Sequence, residues 1–194
     1  MALLPLASTS DLTDRKVAVP AGIDANKALL AASAAIRDAA GTAITRTTTT
    51  LRLLPTGGPW LDLYVSPVRE VTRVVHNGVE VHDWELHDGR LWRPGGWHRS
   101  GWSISQFIVD VDFGYDQAPD DIIDLCCSLA AASFAAMEDG YDPGRGLSAI
   151  SIDDYRESFA RGDDEVVNPL EIPERTRNAL RRRFGRSVYG TGSR

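Results

Sequence analysis

The chain has little of what small proteins use to brace themselves covalently. Its only cysteines among 194 residues, Cys126 and Cys127, are adjacent. On a helix such neighbours project about 100° apart, which excludes an ordinary intrachain disulfide. Both are expected to be core thiols in a reducing compartment. No apolar run approaches the roughly 20 residues that a membrane-spanning helix needs. The opening MALLPLAST lacks the basic start and long apolar stretch of a signal peptide. A soluble, cytoplasmic protein without membrane contact is expected.

Catalytic signatures are equally sparse. There is no G-x-S-x-G elbow, phosphate loop or dinucleotide fingerprint, and no serine, histidine and aspartate stand in a recognisable catalytic spacing. The four histidines, His76, His82, His87 and His98, are concentrated in one region, but their spacing fits no metal template. His76 and His87 adjoin glycine turns and are expected to be solvated. Asp110 and Asp112 share a strand face and could hold magnesium with Asp116; a solvated strand face is the favoured reading. No catalytic residue, metal or cofactor is expected.

What the sequence does contain is a clear order of elements. At 43% hydrophobic, the chain can bury one real core. Between Ile104 and Tyr115, Val109, Val111, Phe113 and Tyr115 recur with period two, predicting a half-buried strand. Pro119, Asp120 and Asp121 then open a helix that ends at Gly140. Its expected interior is Leu125, Cys126, Leu129, Ala130, Ala132, Ala136 and Met137, and it should be the central core helix. Earlier, Ser8 to Ser10 precede a short helix, and Asp24 caps an alanine-rich one ending at Gly41. From Arg46 to Tyr115 short strands alternate with turns, Asn77-Gly78 and Asp88-Gly89 being hairpin dipeptides. Such strands should make one small antiparallel sheet. The fold class is α+β: a small helical bundle around one core helix, with an inserted antiparallel β-sheet, a long loop and a C-terminal helical arm. Residues 1–171 form the body, with the β insert at about 46–115 and the long loop at about 140–171, in which Ala149 to Tyr155 could form a short strand; residues 172–194 form the arm.

Charge is divided unevenly. Ile172 to Arg194 carries seven arginines against Glu174, net +6, so the remainder of a chain of net charge -6 carries -12. An acidic body with a basic arm suggests a partner for the arm. Arg175, Arg177, Arg181, Arg182 and Arg183 could pair with acids of another protein while Leu180 and Phe184 pack into it. They could also track nucleic-acid phosphates, or simply be solvated. The loop Pro94 to Trp102, PGGWHRSGW, is expected to be exposed, with Trp97 and Trp102 as contact candidates and Trp60 and Trp84 in the core.

Three stretches together resemble the head-tail connector (adaptor, or head-completion) proteins of long-tailed bacteriophages. They are DANKALLAASAAIRDAAG, SPVREVTRVVHNGVEV and, above all, VDVDFGYDQAPDDIIDLCCSLAA; the later SISIDDYRESF and the basic helix fit the same order. The resemblance spans roughly Leu6 to Phe184, although the Pro94 to Trp102 loop has no counterpart in it. It implies a non-enzymatic virion protein at the capsid vertex, made in the host cytoplasm. Such a protein would form a ring of about twelve copies under the portal protein and extend the DNA channel without sequence-specific binding. It would also present a surface to the next connector, stopper or tail protein. The arm residues, body-independent in this picture, would meet the portal or a neighbouring subunit. A tail-completion or stopper protein is the alternative, and a nucleic-acid-binding module using the arginine helix is the alternative of another class.

Overall fold

The structure, a computed structural model, describes residues 3–98, 106–138 and 169–185. The elements run α1 (Thr9–Asp14), α2 (Ala25–Ala40), β1 (Thr47–Leu53), β2 (Trp60–Asp62), β3 (Val68–His76), β4 (Val79–Glu80), β5 (Glu85–His87), β6 (Arg90–Trp92), β7 (Phe107–Phe113), α3 (Asp120–Glu138) and α4 (Glu174–Phe184). This is the expected α+β class, with four helices and two antiparallel sheets among the described residues. The chain divides into two compact units. One comprises Met1–Leu3, Ile36–Pro119 and Pro173–Arg194, the other Leu4–Ala35 and Asp120–Ile172. The basic helix thus groups with the strands.

In the helical unit, each helix start is set by local chemistry. Ser8 and Asp11 form a reciprocal capping box at α1, satisfying two amides that the helix cannot. Asp24 Oδ1 accepts from the amides of Asn26 at 3.0 Å and Lys27 at 3.3 Å at the head of α2. Helix α3 buries Ile122, Ile123, Cys126, Cys127, Leu129, Ala130, Ser133 and Phe134. Leu125 is only half-buried and Ala132 is exposed, which corrects the expected interior. In so alanine-rich a helix the small residues mark no face; the large ones, Ile122, Ile123 and Phe134, set it. Ser33 replaces an apolar residue inside this unit and is fully paired. Its hydroxyl donates to Leu29 O at 2.6 Å, accepts from Leu6 N at 2.8 Å and lies 3.4 Å from Cys126 Sγ.

The β unit holds not one sheet but two. The first has the order β1-β7-β3-β4, the second β2-β6-β5. The two hairpin dipeptides behave as their chemistry dictates: Asn77 and Gly78 take φ 49° and 82°, Asp88 and Gly89 take 48° and 71°, the double positive φ that matches strand twist. The expected strand from Val79 to Leu86 is instead β4 and β5, divided between the sheets. One core joins Leu53, Leu61, Val74, Leu91, Trp97, Phe107 and Val109 with their buried neighbours.

The exit of β7 is the tightest point. Ile44 has φ 66°, and Thr45 N reaches back to Ala43 O at 2.8 Å, a three-residue turn rarely adopted by a β-branched residue. Tyr115 N then donates to Ile44 O at 2.9 Å and Arg46 N to Tyr115 O at 2.7 Å. Gly114, at φ 97°, passes so close that an added Cβ would stand 2.6 Å from Thr45 O. Gly114→Ala is therefore expected to destabilise by about 2–4 kcal/mol, read as a lower urea midpoint with an unchanged m-value.

Both cysteines are free and buried, and burial, then the neighbouring Cys126, pushes the Cys127 thiol up to about 11. The fold therefore favours the protonated thiol over the thiolate. That preference is fully present below the ordinary thiol range and is lost as pH rises through about 11, because the unfolded chain deprotonates first. Stability measured by urea unfolding should fall between about pH 9 and 11, less steeply in Cys127→Ala.

Candidate assembly surface

Helix α4 carries most of the residues singled out by the sequence. Pro173 stands at its N-cap without a side-chain cap, Glu174 lies in the first turn, and Arg181, Arg182 and Arg183 occupy the last, as the helix dipole favours. Leu180 and Phe184, one turn apart, are its buried residues. The Phe184 ring, 0% exposed, meets Tyr115 edge-on at 6.1 Å. A Cβ on Gly185 would lie 2.8 Å from Ala40 O. The apolar anchors expected to enter a partner are thus spent within the chain. An amphipathic helix with one apolar stripe buries that stripe, as Leu180 and Phe184 do here.

Several arginines share that fate. Arg181 Nε donates to Ala39 O at 3.3 Å, capping the end of α2, where Gly41 turns the chain at φ 72° and the amides of Gly41 and Thr42 close back on Asp38 and Arg37. Arg177 lies 3.7 Å from Glu174, and the Arg183 guanidinium sits 4.9 Å from the Phe184 ring centre. Arg175 and Arg182 project from the exposed face. They are the cations of α4 best placed to meet another molecule.

Trp97 overturns its assignment as a loop contact. It is 0% exposed, its indole N–H donates to Pro59 O at 2.9 Å and Leu91 O at 3.2 Å, and its ring meets Phe107 edge-on at 5.0 Å. Pro94 and Gly95 of the neighbouring turn are exposed, but an indole that finds carbonyl acceptors can be buried whole. Conversely Trp60, expected in the core, lies on the surface, with Arg90 5.1 Å from its ring centre. Trp102 and the segment Ala149 to Tyr155 lie outside the described residues.

The aspartates of β7 are held by arginines. Asp112, 6% exposed, receives Arg46 Nη2 at 2.7 Å and Nε at 3.0 Å; that hydrogen bond, then the opposite charge, pushes the Arg46 guanidinium above its usual range. Asp116 meets Arg69 at 2.8 Å and Arg46 at 3.7 Å. Thr50 Oγ1 donates to Asp110 at 2.6 Å. Among the described residues no group of three or more His, Cys, Asp or Glu side chains is arranged to hold a metal ion. The sequence reading missed this network, although Arg46, Arg69 and Arg73 all flank or occupy the strands paired with β7. His76, expected to be solvated, stacks on Phe107 with ring centres 4.1 Å apart; burial, then the charge of Arg93, lowers its pKa.

The described residues form a small α+β protein. No family model matches the chain, and no curated protein matches it. Among solved structures it is similar to a chain in the neck of an empty GTA particle computed with C6 symmetry. The TM-score is 0.56 at 20% identity, and the match covers 100% of this chain and 97% of that one. This likeness is one of fold.

The two kinds of α4 residue should separate by mutation. Phe184→Ala is expected to cost about 3–5 kcal/mol of unfolding free energy, whereas Arg182→Ala should stay within about 0.5 kcal/mol, both read by urea denaturation.

Proposed function

We propose that this chain is a structural, non-enzymatic neck component of a phage-like particle, a head-to-tail connector or adaptor that assembles as a ring. The observation that carries the reading is the fold likeness over 100% of this chain and 97% of the chain from the GTA neck. A match extending through sheets and helices alike favours a shared architecture over a shared small motif. The C6 symmetry with which that neck was computed is compatible with a ring of six subunits or of twelve. In such a ring, copies meet through heterologous contacts that close on themselves, and the genome passes through without sequence-specific binding. One side would meet the portal protein and the other the next connector, stopper or tail protein.

The exposed cations Arg175 and Arg182 are the proposed register-setting contacts with portal or neighbouring subunit. Arg181 and Arg183 are exposed too but are also engaged within the chain, Arg181 on Ala39 O and Arg183 over the Phe184 ring; Arg177 is half-buried beside Glu174, and Leu180 and Phe184 anchor the helix to its own unit. Charges of this kind steer association and fix orientation more than they add affinity.

Electron microscopy of the purified chain mixed with the portal protein of its own particle tests the reading: rings stacked under the portal are expected. Attachment only to the tail end would favour a tail-completion role, and binding of duplex DNA with a steep salt slope but no ring would favour the nucleic-acid module. The double variant Arg175→Glu and Arg182→Glu should melt at the parent temperature yet lose at least about tenfold in ring formation, measured by counting portal-bound rings.

A further inference from the structure

Among the described residues strand β1 is an outer strand with no element along its free edge. Its seven residues pair continuously with β7, from Thr47↔Phe113 to Leu53↔Phe107, without a register shift. Along the opposite edge none of its backbone groups meets a partner among the described residues. Edges are normally blunted by proline, lysine, a bulge or a covering element. Here the strand reads TTTTLRL, four β-branched threonines and a single charge. At about 3.3 Å per residue this leaves roughly 23 Å of open N–H and C=O groups. The other side of the sheet is different: β3 is broken by two register shifts, and β4 covers its end.

The chain itself carries a further segment long enough to fill such an edge. Its described part stops at Gly185, packed on Ala40. The preceding Phe184 lies on Tyr115, which bridges Thr45, two residues before β1 begins. Nine further residues follow, Arg186 to Arg194, a length that extended spans about 30 Å. They include the strand-favouring pair Val188 and Tyr189.

We propose that the edge of β1 accepts residues 186–194 of an adjacent copy as an added strand, linking subunit to subunit. This rests on the ring assembly proposed above. Main-chain hydrogen bonds supply the affinity in such strand addition. Because donor and acceptor are different surfaces of the same chain, the link propagates from copy to copy until the ring closes.

The test uses the full chain in the same portal-bound ring preparations. Val188→Cys is combined, one at a time, with Thr48→Cys, Thr49→Cys or Thr50→Cys, so that any register is sampled; the native cysteines are buried. Mild oxidation should yield a ladder of covalent multimers on a non-reducing gel in at least one pair. In the unmodified protein, the outward amides of Thr47 to Leu53 should exchange at least about tenfold more slowly in rings than in the free chain. A disulfide closed within one chain, or thiols that stay free while rings are seen, would overturn the link and leave the neck reading standing. If no rings form at all, both fall.

Discussion

Strand β7 is paired on both edges, and the β unit depends on that arrangement. Its partners, β1 and β3, come from earlier in the chain, so the sheet exists only once residues some sixty positions apart have met. The alternation along β7 then does two jobs. Phe107, Val109, Val111 and Phe113 enter the core, while Asp110 and Asp112 face Thr50 and Arg46. A one-residue slip would exchange these faces and bury carboxylates where valines belong. The tight passage of Gly114 past Thr45 stands where the register of this strand ends.

Much of this was legible in the sequence because it rests on local chemistry. The Ser8 and Asp24 caps, the two double-positive-φ turns and the alternation of β7 each need only a few neighbouring residues. The division into two sheets was not legible. Strands of three residues such as β2, β5 and β6 carry too few side chains to state which neighbour they choose. Trp97 was misjudged because its surroundings, Gly95 and Gly96, describe a turn, whereas its burial depends on carbonyls at Pro59 and Leu91. For α4 the arginines drew attention to solvent, although Leu180 and Phe184 one turn apart already specified a face to be covered.

The basic helix accordingly has two characters. Its inner side completes a core and caps α2 through Arg181; its outer side presents Arg175 and Arg182. Placing cations on a helix held by its own unit reduces the ordering entropy that a free arm would lose on binding. The outward arginines of α4 thus stand on a surface already formed.

The burial of Phe184 also bears on the order in which the molecule comes into being. The β unit draws on Ile36–Pro119 and then on Pro173 onward, with the whole of α3 made in between. During synthesis the sheets emerge from the ribosome well before the helix that covers Tyr115. For that interval Tyr115 lacks the aromatic partner that Phe184 supplies. Completion of the β unit therefore waits on α4, a helix translated only after the whole of α3.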